Sequence, residues 1–196
     1  AYMARVSISV ALPFIADDYG WNAAQLGAFG GLLLGIFLVG YGFSNIFISP
    51  LVDCYGPRRG LLYTIPIWSA LTFFAGVAGM IYLVFILIRV LLGISQGVIF
   101  PSASKITQTW FPPWERSRVN AVYFSSTDVS NILSPLLLIP LIVMVGWQFM
   151  FIIVSIVGFA VLIPIWKYLE DSPIKGATPA PVRSFREILP EVMKNL

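Results

Sequence analysis

Apolar positions run through this chain in long unbroken blocks, not in alternation. Residues 19–52, 60–88 and 129–166 contain no Asp, Glu, Lys or Arg. About 20 apolar residues make one helical crossing of a hydrocarbon layer about 30 Å thick. As a single straight helix, 129–166 would reach about 57 Å, so it must fold back, and Gly146-Trp147 is the natural corner. The block 60–88 would reach about 44 Å and should turn near Gly76 to Gly79. The pattern predicts helices at about 1–16, 23–50, 59–78, 80–108, 118–145 and 147–169. Asp17-Asp18, Gly56-Pro57 and Pro112-Pro113 punctuate three of the connections.

The expected fold class is therefore an all-α membrane protein with six transmembrane helices. They divide into two three-helix repeats, each opening on an intramembrane Arg-Val pair, Arg5-Val6 and Arg89-Val90. Residues 1–169 would form a six-helix transmembrane bundle. Residues 170–196, beginning an amphipathic pattern in SFREILPEVMKNL, would be a cytoplasmic linker. Both ends look cut, so a fragment of a longer protein is expected.

Composition sharpens this picture. Of 196 residues, 58% are hydrophobic and 11% charged, against about 25% charged in soluble domains. The net charge of +3 is spread over loops, which excludes a nucleic-acid surface and fits the positive-inside rule. Arg58 and Arg59 follow the second helix, Arg116 and Arg118 the fourth, and Lys175, Arg183, Arg186 and Lys194 lie in the tail. These loops and both termini are expected in the cytoplasm of a multi-pass plasma-membrane protein. The single cysteine, Cys54, permits no internal disulfide, and no histidine is present to titrate near neutrality. Ala1 to Ile15 has no basic lead and carries Arg5 within its apolar segment, so it is no signal peptide. No phosphate loop, Cys/His metal spacing or nucleophile–base pair is found. Neither an enzyme, a cofactor nor a metal site is expected.

The informative residues are the charges inside apolar spans. An arginine at mid-span costs about 2.5–3.5 kcal/mol on insertion scales. Arg89 should lie about 12–14 Å deep and Arg5 about 15–18 Å, near the same depth. Two roles fit Arg89, a buried ion pair holding the bundle or a ligand for an anion. Arg5 is either a site residue or a snorkelling anchor. Gln96 shares the Arg89 face, two turns on. Gly93 and Gly97 flank that face and permit either close helix packing or room for a ligand. Asp128, in the polar stretch SSTDVSN, is either an ion-pair partner or a carrier of coupling protons. With +2 from the arginines and −1 from Asp128, the interior favours anions, which guanidinium binds in a bidentate fork.

The stretch SPLVDCYGPRRG, 49–60, resembles the G-x-L-x-D-r-x-G-r-R loop signature of the major facilitator superfamily. Asp53, Gly56, Arg58 and Arg59 match it, while Ser49 and Cys54 depart from it. RVSISVALPFIADDYGW, RVLLGISQGVIFP, WFPPWERSR and the Gly146-Trp147 pair resemble segments of its anion:cation symporter branch. The resemblance covers about residues 2–172 and implies the N-terminal half of a twelve-helix carrier that lacks its C-terminal half here. It implies that Arg5 and Arg89 bind the substrate's anion in a central cavity and that Tyr41 lines it. It implies that Asp53, Gly56, Arg58 and Arg59 form a cytoplasmic gate. Where the branch carries a coupling glutamate, this chain has Gln96, which can hydrogen-bond but cannot titrate; Ala4 likewise replaces an aspartate. A coupling cation, proton or sodium, would then rely on Asp128 or on the other half. The expected function is secondary active or facilitative transport of small organic anions, carboxylates or sugar acids, by alternating access. The alternatives are a non-transporting anion sensor, an organophosphate or inorganic anion exchanger, or a six-helix unit that dimerises.

Overall fold

The computed structural model describes residues 2–48, 52 and 55–169. Among them every regular element is helical: α1 (Tyr2–Asp18), α2 (Ala23–Phe47), α3 (Pro57–Ala78), α4 (Tyr82–Trp110) and α5 (Pro113–Tyr168). Helices α2 to α5 are each long and apolar enough to cross a membrane; α1 has 17 residues. The 56 residues of α5 would span about 84 Å if straight. They are interrupted at Gly146, whose φ of 86° and ψ of 161° leave the helical region. Only glycine takes that conformation freely, and here it separates an arm at 113–145 from an arm at 147–168. The turn between α3 and α4 falls at Gly79–Ile81, close to where the apolar block is expected to reverse.

Two further irregularities have no signature in the hydrophobic pattern. Helix α2 opens on a capping box between Asn22 and Gln25 and then widens into a π-turn at Leu26–Gly30. Helix α4 loosens at Gly97 and Val98 before resuming at Ile99. Its far end is capped by Arg116, whose Nε and Nη2 donate to the carbonyls of Phe111 (3.0 Å) and Gln108 (2.8 Å).

Helix α1 buries one face and packs chiefly on α5. Ala4, Ile8, Ala11 and Ile15 repeat at helical spacing and are all buried. They belong to one core cluster with Leu33 and Phe37 of α2, Ile65 and Trp68 of α3, Phe85, Ile88 and Leu92 of α4, and Leu138, Met150 and Phe151 of α5. Helix α2 packs chiefly on α4, and α3 on α5. The α2–α4 seam is closed by glycines. A Cβ on Gly40 would stand 2.4 Å from the Val90 carbonyl oxygen, and one on Gly93 2.2 Å from that of Phe37. Gly97 sits equally tightly against Ser44. Of the two uses open to Gly93 and Gly97, close packing is the one realised.

Outward faces are as apolar as the core. Leu38, Val39, Ile67, Leu83, Ile132 and Met144 are all exposed. A soluble protein would bury such a continuous surface; a lipid-facing bundle presents it. The chain is a multi-pass membrane protein.

Candidate functional site

Arg5 is half-buried on the inward side of α1. Its Cζ stands 4.5 Å from the ring centre of Tyr41, 5.0 Å from Phe37 and 5.4 Å from Tyr2. Arg5 makes no ion pair among the described residues. Electron-rich ring faces hold the cation without neutralising it. Tyr41 reaches this place because the Gly40 and Gly93 contacts bring α2 against α4.

Beside the guanidinium lies a small pocket of about 10 Å³, lined by Tyr2, Arg5, Gln96, Ile99 and Phe100. That is room for about one water molecule. Gln96 is buried, and its Nε2 has no hydrogen-bond partner. The Tyr123 hydroxyl is also buried and unpartnered. Its ring meets Phe100 edge-on at 5.5 Å, and Phe100 meets Tyr2 at 6.2 Å. The ring-held cation and the unsatisfied Gln96 Nε2 therefore meet at one void, and Tyr123 lies behind Phe100. Buried polar groups are normally satisfied, so Gln96 Nε2 leaves an unmet donor at this pocket.

Arg89 stands elsewhere. It is 1% exposed, with Cζ 5.5 Å from the Phe85 ring centre and 6.0 Å from that of Phe151. Its Nε and Nη2 have no partner, so no acid among the described residues neutralises it through them. Counting from the Asp18 end of the bundle, Arg89 lies about 10 Å along α4, while Gln96 and Arg5 both lie about 20 Å in. Counted from the observed helix ends, Arg5 is level with Gln96, with which it shares a pocket, and not with Arg89. Arg89 does not line the Arg5 pocket. The reading of Arg89 as half of a buried ion pair finds no partner here.

Asp128 is exposed on the first arm of α5 and forms no ion pair among the described residues. Gly56 caps α3 at φ 88°, which explains a glycine there. Half-buried Arg58 donates from Nη2 to the Trp166 carbonyl (3.1 Å), tying the start of α3 to the end of α5, and Arg59 is exposed. Lys105 donates from Nζ to the Val52 carbonyl at 3.4 Å. Asp53, the remaining residue of the loop motif, and the segment 170–196 lie outside the described residues.

Sequence reading singles out Arg5, Tyr41 and Gln96 but passes over Tyr2, Phe100 and Tyr123. An aromatic in an apolar span usually signals packing. The available signal for Tyr123 is its place beside the polar run 125–131, where a phenol has company of its own kind.

Comparison with known proteins places this arrangement in context. A sequence model of the Major Facilitator Superfamily matches residues 1–195. A probable sulfoacetate transporter of Cupriavidus necator is 30% identical over 175 residues, 89% of this chain and 40% of that protein. A hexuronate transporter of Bacillus subtilis is 28% identical, covering 92% of this chain and 42% of its own. A probable L-galactonate transporter of Escherichia coli is 31% identical over 80% of the chain and 34% of its own length. This chain thus spans less than half the length of the relatives it matches. In fold, it resembles the crystal structure of a bacterial homolog of the human lysosomal transporter Spinster, with a TM-score of 0.75, at 23% identity over 98% of this chain and 46% of that one. On the family match across nearly its whole length, the chain belongs to the Major Facilitator Superfamily.

Proposed function

We propose that this chain is one half of a transporter, not an enzyme, and that it moves small organic anions by alternating access. One observation carries the reading: the Arg5 guanidinium, held by three rings and no acid, opens on a void beside the unpartnered Nε2 of Gln96. A carboxylate or sugar acid entering there receives a two-pronged bond from Arg5, with Gln96 and Tyr41 at its flanks. Arg89, about 10 Å nearer the Asp18 end, is a second guanidinium on the same route, reached when the helices rearrange. The relatives above, a probable sulfoacetate transporter, a hexuronate transporter and a probable L-galactonate transporter, support an anionic substrate.

In this reading the break at Gly146 divides α5 into two crossings, which with α1 to α4 make six, arranged as two triplets. Residues 1–169 are the first bundle of a twelve-helix carrier, and 170–196 link it through the cytoplasm to the second. The termini face the cytoplasm and the protein resides in the plasma membrane. Asp53, Gly56, Arg58 and Arg59 serve as the cytoplasmic gate. Gln96 cannot titrate, so coupling to a proton or sodium ion falls to Asp128 or to the second half.

The test is uptake of labelled hexuronates, aldonates and sulfonates into proteoliposomes containing the full-length protein. Saturable uptake competed by the unlabelled acid, and reduced about a hundredfold in Arg5→Lys, supports the proposal, because an ammonium cannot reproduce the fork. Binding without uptake makes the protein an anion sensor.

A further inference from the structure

Three buried rings stand between Arg89 and the Asp18 end of the bundle. Phe85 and Phe151, which its Cζ faces, are 6.2 Å apart. Trp147 lies 6.2 Å from Phe85 and 6.1 Å from Phe151. It is the outermost of the three, because it opens the second arm of α5 while the two phenylalanines lie about one turn further in. Trp147 is also held differently. It directly follows Gly146, where the backbone leaves the helical region, and a glycine absorbs changes of φ and ψ freely. Its indole makes one polar contact, from Nε1 to Asp18 Oδ2 at 2.6 Å, on an aspartate that is itself exposed. Glycines on α3 and its exit form the seat. A Cβ on Gly79 would stand 3.2 Å from Trp147 Cζ3, and one on Gly76 2.5 Å from the Gln148 carbonyl oxygen.

A guanidinium shut away from water is costly unless something compensates it. Arg89 is 1% exposed, and its Nε and Nη2 have no partner. Arg5 can meet an anion at its void, but Arg89 can do so only if its cover moves. We propose that Trp147 is the latch of that cover. While its Nε1–H is bonded to Asp18, the three rings close Arg89 off from the Asp18 end. When the bond breaks, the start of the second arm turns about Gly146, lifts Trp147 off Phe85 and admits water and anions to the guanidinium. Trp147 touches no ligand itself. It is a positioning residue that acts through Phe85 and Phe151. The latch deepens the transport reading, since it gives Arg89 a way in. Its test reads access to Arg89 and not uptake, so the two fail separately.

The experiment is modification of the full-length protein in lipid nanodiscs with phenylglyoxal, an uncharged reagent for guanidinium groups, mapped by peptide mass spectrometry. Exposed Arg59 is the internal reference. In the parent, Arg89 should react about tenfold more slowly than Arg59, or slower still. Trp147→Phe keeps a ring in place and removes the donor. Arg89 should then react about tenfold faster than in the parent, the effect of one hydrogen bond to a charged group, with Arg59 unchanged. Asp18→Ala removes the other end of the same bond and should act alike, so the test survives if a thermal melt shows that one of the two variants has not folded. Gly97→Ala overpacks the seam against Ser44 about two turns from Arg89 and controls for general loosening; it should leave Arg89 protected. Arg89 reacting as fast as Arg59 in the parent, Arg89 still protected in the folded latch variants, or equal acceleration in Gly97→Ala would each overturn the inference.

Discussion

The Arg5 guanidinium lies 4.5 Å from the ring centre of Tyr41, and that ring in turn stacks on Phe37 at 6.2 Å. A carboxylate in the same place would hold the cation more tightly and also cancel its charge. Aromatic faces orient it and leave the charge available. The contact also joins α1 to α2, so it ties the orientation of Arg5 to the packing of two helices.

Tyr41→Phe keeps the ring and should leave anion affinity within about threefold of the parent. Tyr41→Leu removes it, and the lost cation–π contact, about 1–2 kcal/mol when desolvated, should raise Kd about five- to thirtyfold. Isothermal titration of the purified protein with a hexuronate measures both. Equal affinities in the two variants would show that the ring does not orient Arg5.

Gln96→Glu places a titratable group level with Arg5. The ionised carboxylate repels an anionic substrate and pairs with Arg5, whereas the protonated form hydrogen-bonds much as glutamine does. Uptake by the variant should therefore fall as pH rises through the titration of the new group, while the Gln96 side chain adds no such dependence in the parent. Proteoliposome uptake between pH 5 and 8 gives the comparison. Profiles of the same shape would place residue 96 off the substrate path.

The helices and the break at Gly146 are legible because each has a local cause. Charge-free length sets the spans, and a positive φ calls for glycine at the corner. Arg5, Tyr41 and Gln96 stand out as polar or phenolic groups in apolar surroundings. Their mutual placement is another matter. Helical period assigns a face to each residue but not the helix that face meets. The meeting is set by how closely α2 approaches α4 at Gly40, Gly93 and Gly97, and by the widened turn at Leu26–Gly30. Neither can be read from residue counts along single helices. The pocket that Arg5 shares with Gln96 is set by that packing.

That packing makes its own prediction. Gly93→Ala forces a methyl group to within 2.2 Å of the Phe37 carbonyl oxygen, where only backbone movement relieves the clash. Overpacking of this kind costs about 1–3 kcal/mol and should visibly lower the melting temperature. Gly31→Ala and Gly35→Ala meet open space on the same α2 helix and should stay within about 0.5 kcal/mol of the parent. Melting all three variants in one detergent separates tight packing from a general effect of removing glycine.

At the Asp18 end, Trp147 donates from Nε1 to Asp18 Oδ2 at 2.6 Å and stacks on Phe85, the ring beneath Arg89. Trp147→Phe keeps most of the stacking and removes the donor, leaving Gln148 Nε2 at 3.3 Å as the carboxylate's remaining side-chain donor. Loss of a hydrogen bond to a charged group should cost about 1.5–3 kcal/mol. Asp18→Asn retains an acceptor oxygen and should cost less. The order of the two melting temperatures tests whether this bond fastens α1 to α5.

Arg89 provides the sharpest contrast between stability and function. Its Nε and Nη2 are buried without partners, an arrangement that strains the fold unless the charge has a task. A charge removed from water is costly, and well-packed apolar replacements of buried ionic groups often gain about 1–4 kcal/mol. Arg89→Met keeps an unbranched side chain out to about the position of Nε and removes the charge. It should therefore raise the melting temperature while reducing anion uptake. A fall of several degrees instead would mean that the contacts with Phe85 and Phe151 hold the bundle together, so that Arg89 serves the fold. A gain in stability with uptake unchanged would remove Arg89 from the transport route and leave Arg5 to bind the anion alone.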